Sequence, residues 1–260
     1  NNQNQDIFYT VDSSNYSFYM NAGTFTVTPQ LENPSFFTVS PASVDVPFST
    51  SSGSVSNQNF CIAPNGIHPD LEILLLPLSV PRPGYNVLYR LMYKNKGNTI
   101  QNGTVDFSFD DAILDFVSAT PEIPTQTTNH YNWSFSNLQP FEQREITVMV
   151  NLNSGAEIPA VNFGNPLAFS AVISSLAADE NPNDNSFILN QIAMGSFDPN
   201  DKRCLEGDVI DATKVGDYVH YMIRFENTGN ANADNVVIRD QIDLSKFDIA
   251  TLVPLTASHD

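Results

Sequence analysis

Apolar side chains recur at every second position through much of this 260-residue chain. In 86–93, Val87, Tyr89, Leu91 and Tyr93 alternate with Asn86, Leu88, Arg90 and Met92. In 217–225, Val219, Tyr221, Ile223 and Phe225 alternate with Tyr218, His220, Met222 and Arg224. Successive residues of an extended strand face opposite ways, so the first set of each segment is predicted to line a core. The same period marks VDFSF at 105–109, YNWSF at 131–135 and REITVMVNL at 144–152. Tyr131, Trp133, Phe135, Ile146, Val148, Val150 and Leu152 then face inward. ILDFVSA at 113–119 and LAFSAVIS at 167–174 read as further short strands, and LEILLLPLSV at 71–80, broken by Pro77, as a buried one. LQPFEQ at 138–143 is a turn. About seven short strands with Pro, Gly and Asn between them make an all-β sandwich, assigned to 69–192.

The chain also repeats itself. YRLMYKNKGN at 89–98 and YMIRFENTGN at 221–230 place Tyr, an aromatic, Asn, Gly and Asn at the same offsets. The match extends from Gly84 and Gly216 to Val105 and Val237. A period this long makes each copy a domain rather than a solenoid unit. In both copies the strand ends in an Asn/Gly turn, read as a place for positive φ. The second copy, 200–260, stops where Asp260 corresponds to Thr128, so an incomplete second sandwich is expected. Half a sandwich exposes its core and strand edges. The reading therefore expects the native protein to continue past 260, with a partner's strands as the alternative. The stretch 1–66 reads as a partial small β domain. Its strands are marked by Phe25 and Val27, Phe37 and Val39, and Val44 and Val46. STSSGSVSNQN at 49–59 is linker-like, and 60–63 could be a last strand.

Charge narrows the partners. Eleven Lys and Arg face 29 Asp and Glu, a net charge of −18. Such a chain repels nucleic acid and anionic lipid, and no local basic patch offsets this. Hydrophobic content of 41% supports a packed core. No apolar run approaches the ~20 residues of a membrane-spanning helix. Cys61 and Cys204 form no metal motif, and each precedes a sandwich, so they are expected to lie apart.

Catalytic chemistry is hard to place. His68, His130, His220 and His259 accompany no nucleophile, zinc or phosphate-loop motif, so no enzyme is expected. Trp133 could stack on a sugar, but its inward phase makes it a core residue. Metal binding has more to stand on. ADENPNDN at 178–185 and FDPNDK at 197–202 bracket the junction of the two copies. Asp179, Asp184, Asp198, Asn200 and Asp201, with Asn181 and Asn183 beside them, offer the oxygen ligands calcium takes. The competing reading is ordinary turn chemistry, with Asp and Asn side chains bonding nearby N–H groups.

Four resemblances add to this. NQIAMGSFDPNDKRC at 190–204 followed by VGDYVHYMIRFENTGNANADNVVIRDQID at 215–243 resembles a module of large secreted Bacteroidota proteins. The resemblance implies export by type IX secretion, through a sorting domain outside 1–260. The 69–192 domain resembles immunoglobulin-like repeats of bacterial surface proteins, with LQPFEQREITVMV as their Leu-x-Pro-x-Glu corner. AGTFTVTPQLENPSFFTVSPASVDV is similar to the end of collagen-adhesin B-type or transthyretin-like repeats. The Asp/Asn-rich junction resembles cadherin linkers. The expectation is tandem immunoglobulin-like sandwiches after a partial β domain, acting as non-catalytic spacers of a secreted or cell-surface protein. An adhesin for carbohydrate or protein, with or without calcium dependence, and an accessory stalk of a secreted hydrolase stay open beside it.

Overall fold

A computed structural model describes residues 16–17, 21–49, 56–123, 125–127, 129–194, 201–225 and 238–257. The second copy's turn at 227–230, and with it Asp198 and Asn200, lies outside these. The strands in chain order are β1 (Gly23–Val27), β2 (Phe37–Ser40), β3 (Val44–Phe48), β4 (Cys61–Pro64) and β5 (Leu71–Pro77). Next come β6 (Asn86–Asn95), β7 (Gln101–Phe109), β8 (Leu114–Thr120), β9 (Thr125–Thr127) and β10 (His130–Leu138). The last are β11 (Gln143–Leu152), β12 (Pro166–Ser175), β13 (Ser186–Ile192), β14 (Asp201–Cys204) and β15 (Tyr221–Arg224). No helix among the described residues is long and apolar enough to cross a membrane.

The chain divides into two compact units. The smaller comprises Asn1–Thr28, Pro41–Asn59 and Asn227–Asp260. In it β1 and β3 pair antiparallel, with Phe25 opposite Val46 and Thr26 donating to Asp45 Oδ1 at 2.6 Å. The larger comprises Pro29–Ser40 and Phe60–Glu226. It holds the sandwich, the β2–β4 pair and the β14–β15 pair.

The sandwich has a four-stranded sheet in the order β5-β6-β11-β8 and a five-stranded sheet in the order β13-β12-β7-β10-β9. All neighbours are antiparallel. β5, β6, β11 and β8 thus take the A, B, E and D places of an immunoglobulin sandwich. β7, β12 and β13 take C, F and G, and β10 and β9 extend that sheet. The fold is all-β and immunoglobulin-like, as the alternation predicts.

The core sits where the inward sets meet. Tyr89 and Leu91 of β6 and Val148 and Val150 of β11 are fully buried, facing Val105 and Phe107 of β7 and Ala171 of β12. The Phe169 ring lies tilted 4.4 Å from that of Tyr89, and Phe135 lies 5.4 Å from Tyr93. Each large side chain taken fully out of water contributes roughly 1.5–3 kcal/mol. Trp133 is 4% exposed and donates its indole N–H to the Pro121 carbonyl at 3.1 Å, so it is a core residue.

Two strands of the sandwich escape the sequence reading. β9 is three residues long. β13 hides because its buried set is Phe187, Leu189 and Gln191 while Ile188 and Ile192 face outward. The buried Gln191 accepts a hydrogen bond from the Tyr89 hydroxyl on Oε1 at 2.8 Å, while its Nε2 has no acceptor within reach among the described residues.

The repeat is visible in the backbone. Gly84 and Gly216 both hold positive φ, at 81° and 101°. The strands that follow differ. β15 is four residues against ten for β6. Tyr221, Ile223 and Phe225, predicted to face a core, are the more exposed set, with Tyr221 45% exposed. Among the described residues, β15 pairs with β14 in a two-stranded sheet.

Candidate functional site

One end of the sandwich is closed by the segment leading into β5. Its backbone is bonded on two sides. The amides of Lys96 and Gly97 donate to the Asp70 carbonyl at 2.8 and 3.0 Å, and that of Asn98 donates to the His68 carbonyl at 2.9 Å. On the other side Glu180 N–H donates to the Pro69 carbonyl at 2.9 Å, and Leu71 N–H donates to Asp179 Oδ2 at 2.9 Å. His68 Nδ1 lies 2.8 Å from Glu180 Oε1, and its ring stacks on Phe36 at 4.5 Å.

Gly97 is required here for closeness. It is absent from the positive-φ positions, contrary to the reading of the turn. A Cβ on it would stand 2.3 Å from the His68 carbonyl oxygen and 2.6 Å from the Asp70 nitrogen. Asn95 is fully buried and donates from its amide to the carbonyls of Thr99 and Leu138. Asn98 receives the His68 amide on Oδ1 and donates to the Phe36 carbonyl at 2.8 Å. The repeated Asn-x-Gly-Asn phrase is therefore, in its first copy, a clamp on the preceding chain. The LQPFEQ corner joins it. Phe141 N–H donates to the Asn95 carbonyl, Phe141 holds φ at 66°, and its ring stacks on Phe37 of β2 at 4.6 Å. A bulky residue rarely adopts positive φ, so the aromatic contact and the hydrogen bond hold it there.

Acid side chains converge on the same place. Asp70, Asp179 and Asp184 bring carboxylate oxygens within 4.8 Å of one another. β5 and its lead-in supply Asp70, and the β12–β13 loop supplies the other two. Lys96 Nζ stands 2.8 Å from Asp184 Oδ2, 3.3 Å from Glu32 and 3.7 Å from Glu72. Lys94 pairs with Glu32 at 2.7 Å. Asn33 donates to Asp70 Oδ2 at 2.8 Å. Asp70 Oδ1 and Asp184 Oδ1 are buried and have no donor within reach.

The electrostatics follow from that crowding. Burial pushes the Asp70 carboxyl up to about 7 against the pull of Lys96, with Asp184 and Asp179 adding to the push. Burial also raises Asp184 and Glu72, despite Lys96 beside each. For Glu32 burial acts upward too, but Lys94 and Lys96 together hold it below the usual carboxylate range. Burial would lower Lys96, yet Glu72, Asp184 and Glu32 keep its ammonium above the ordinary lysine range. Acids outnumber bases, so the centre carries net negative charge.

Of the ligands expected from sequence, the structure brings Asp179 and Asp184 together. Asp198 and Asn200 fall outside the described residues. Asp201 is elsewhere, held by the guanidinium of Arg224, whose Nε donates to Oδ1 at 2.8 Å. Part of the Asx-turn reading holds as well. Asp179 Oδ1 accepts from Asn181 N–H at 2.9 Å, and Asn181 Nδ2 donates to Asp184 Oδ2 at 2.8 Å. Asp70 was not among the ligands expected from sequence; its only signal is a charge placed directly before a strand that is apolar except for Glu72. Cys61 and Cys204 are both free thiols.

Comparison with known proteins adds little chemistry. Residues 198–260 match a family described as a domain of unknown function, DUF7619. A search of curated proteins finds no match. Among solved structures, the CARDB domain of a Pyrococcus furiosus protein in complex with di-metal ions is 16% identical. That alignment covers 49% of this chain and 90% of that one, with a TM-score of 0.36. The bacterial hydrophobin BslA is 12% identical over 51% of this chain and 100% of its own, at 0.31. BcpA, the major pilin subunit of Bacillus cereus, is 9% identical over 62% and 52%, at 0.33.

Proposed function

We propose that this chain is a non-catalytic structural module, a stiff spacer of a secreted or cell-surface protein. The observation that carries this reading is the two-sided clamp on 68–71, with the Phe36–His68 and Phe37–Phe141 stacks beside it. A spacer holds what it carries in place only if its successive elements cannot hinge. Here the β2–β4 pair is fastened to the sandwich by backbone bonds, ring contacts and ion pairs together. The outward positions of the five-stranded sheet suit the same role. Among the described residues they carry Asp106, Ser108, Asn132, Ser134 and Ser170, with Val172, Ile188 and Ile192 as exposed aliphatics and no aromatic platform for sugar. The finer setting, a Bacteroidota-type protein leaving by type IX secretion through a sorting domain outside 1–260, rests on the resemblance at 190–243.

Amide hydrogen exchange tests the clamp. The amides of Lys96, Gly97 and Asn98 are expected to exchange as slowly as those of β6, opening only with the whole sandwich. Gly97→Ala should cost about 2–3 kcal/mol through overpacking and lower the melting temperature by roughly 5–10 °C. It should also speed exchange at the clamp before the β6 amides respond. Fast exchange of these three amides in the unaltered protein would falsify the stiff-junction reading.

A further inference from the structure

We propose that Asp70, Asp179 and Asp184 form a divalent cation site, and that the cation is calcium. The carboxylates alone would not make this case, since clustered acids are common on so acidic a chain. The second observation is Asp70 itself. It is 2% exposed, and its Oδ1 has no hydrogen-bond donor within reach. Asp184 Oδ1, at the same centre, is in the same condition. A buried, unpartnered carboxylate oxygen is among the costliest groups a fold can hold. Two of them beside a third carboxylate call for a positive group that the described residues do not supply. Lys96 is close, but its ammonium is committed to Asp184 Oδ2, Glu32 and Glu72.

The chemistry of the set selects the ion. All three side chains offer hard oxygen, with no sulfur, so calcium or magnesium fits better than a thiophilic metal. Donor atoms within 4.8 Å of one another suit a centre with ligands at about 2.4 Å, the calcium–oxygen distance. The ligands come from a strand lead-in and a loop of Asx turns. Such an irregular set meets calcium's flexible coordination and not magnesium's strict octahedron. The oxygens that already accept N–H bonds keep further lone pairs for a metal. An ion here would tie the β5 lead-in to the β12–β13 loop. The inference stands on the site alone, whether or not the module is a spacer.

The test uses the whole chain, stripped of metal, and calcium chloride titrated by calorimetry at low ionic strength. One calcium per chain is expected, with the melting temperature in about 2 mM calcium several degrees above that in EDTA. Asp70→Asn and Asp184→Asn should each weaken binding by about tenfold or more. Their far-UV spectra should stay unchanged, which separates lost binding from lost folding. Asp201→Asn should bind calcium normally, because Asp201 faces Arg224. Three results would overturn the proposal. They are no heat and no thermal shift in the folded parent chain, calcium binding that survives both Asp70→Asn and Asp184→Asn, or magnesium binding at least as tightly as calcium.

Discussion

Replacing Lys96 by Met is expected to cost the metal-free protein about 3–5 kcal/mol at pH 7.5, the usual result of removing one partner of a buried ion pair. Lys96 is 7% exposed, and its ammonium contacts Asp184, Glu32 and Glu72. Met fills much the same volume, so packing is preserved and charge is what is lost. Without the ammonium these mostly buried carboxylates, with Asp70 beside them, face one another uncompensated. Their protonated forms are then favoured further. The deficit should therefore shrink at pH 5, and calcium should restore part of it. Urea melts of parent and variant at both pH values measure this. An equal loss at both would mean that Lys96 acts through packing of its stem.

The second large effect is a pH dependence of the opposite kind from ordinary acid denaturation. The folded-state carboxyl of Asp70 sits at about 7, above its value in an unfolded chain, near 3.8. Below both values the group is protonated in either state and costs nothing. As pH rises between them the unfolded chain loses its proton first, so folding must hold a proton or bury a charge. Above the folded value the penalty is complete. Metal-free protein should thus lose stability as pH rises from about 4 to about 7, by something of the order of 4 kcal/mol for Asp70 alone. Asp184 and Glu72, also raised, act in the same direction. Glu32 is depressed and acts oppositely, but below its ordinary value of 4.5. Lys96 keeps its proton throughout. Asp70→Asn should flatten this slope, and in EDTA at pH 7.5 it should melt above the parent. The same variant is expected to lose the stabilisation by calcium, a sign reversal that a merely structural Asp would not give. A slope unchanged in Asp70→Asn would assign it to other groups.

Much of the architecture was legible because one physical rule governs it. Alternation placed β6, β7, β10 and β11 and predicted the inward phase of Trp133. The rule fails where a polar group is buried with a partner that sequence does not reveal. Gln191 breaks the pattern of β13, since its bond to Tyr89 depends on which strands face each other. It fails again at β15, where alternation persists but the apolar set is exposed. Turn chemistry was a poorer guide. The Asn and Gly at 95–98 suggested positive φ, whereas Gly97 is needed because the His68 and Asp70 backbone passes within reach of a Cβ.

The acidic centre was half legible for the same reason. Asp179 and Asp184 share one loop, so composition could join them. Asp70 lies more than a hundred residues earlier and comes to them only through β5 packing beside the β12–β13 loop. Arg224 meets Asp201 only through the register of β14 against β15, which removed an expected ligand. Local chemistry can be read along a chain, but the partners that neutralise it come from the fold.

The most direct test of the stiff-spacer account is a distance across the clamp. Cys61 is exposed on β4 and takes a spin label as it stands. Cys204→Ser removes the other thiol, and Ser134→Cys places a second label on the outward face of β10. Double electron–electron resonance on this pair should give one narrow distance distribution, no broader than that of two labels within the sandwich. A broad or two-peaked distribution would contradict the account, because β2–β4 would then swing on the segment that the clamp is meant to hold.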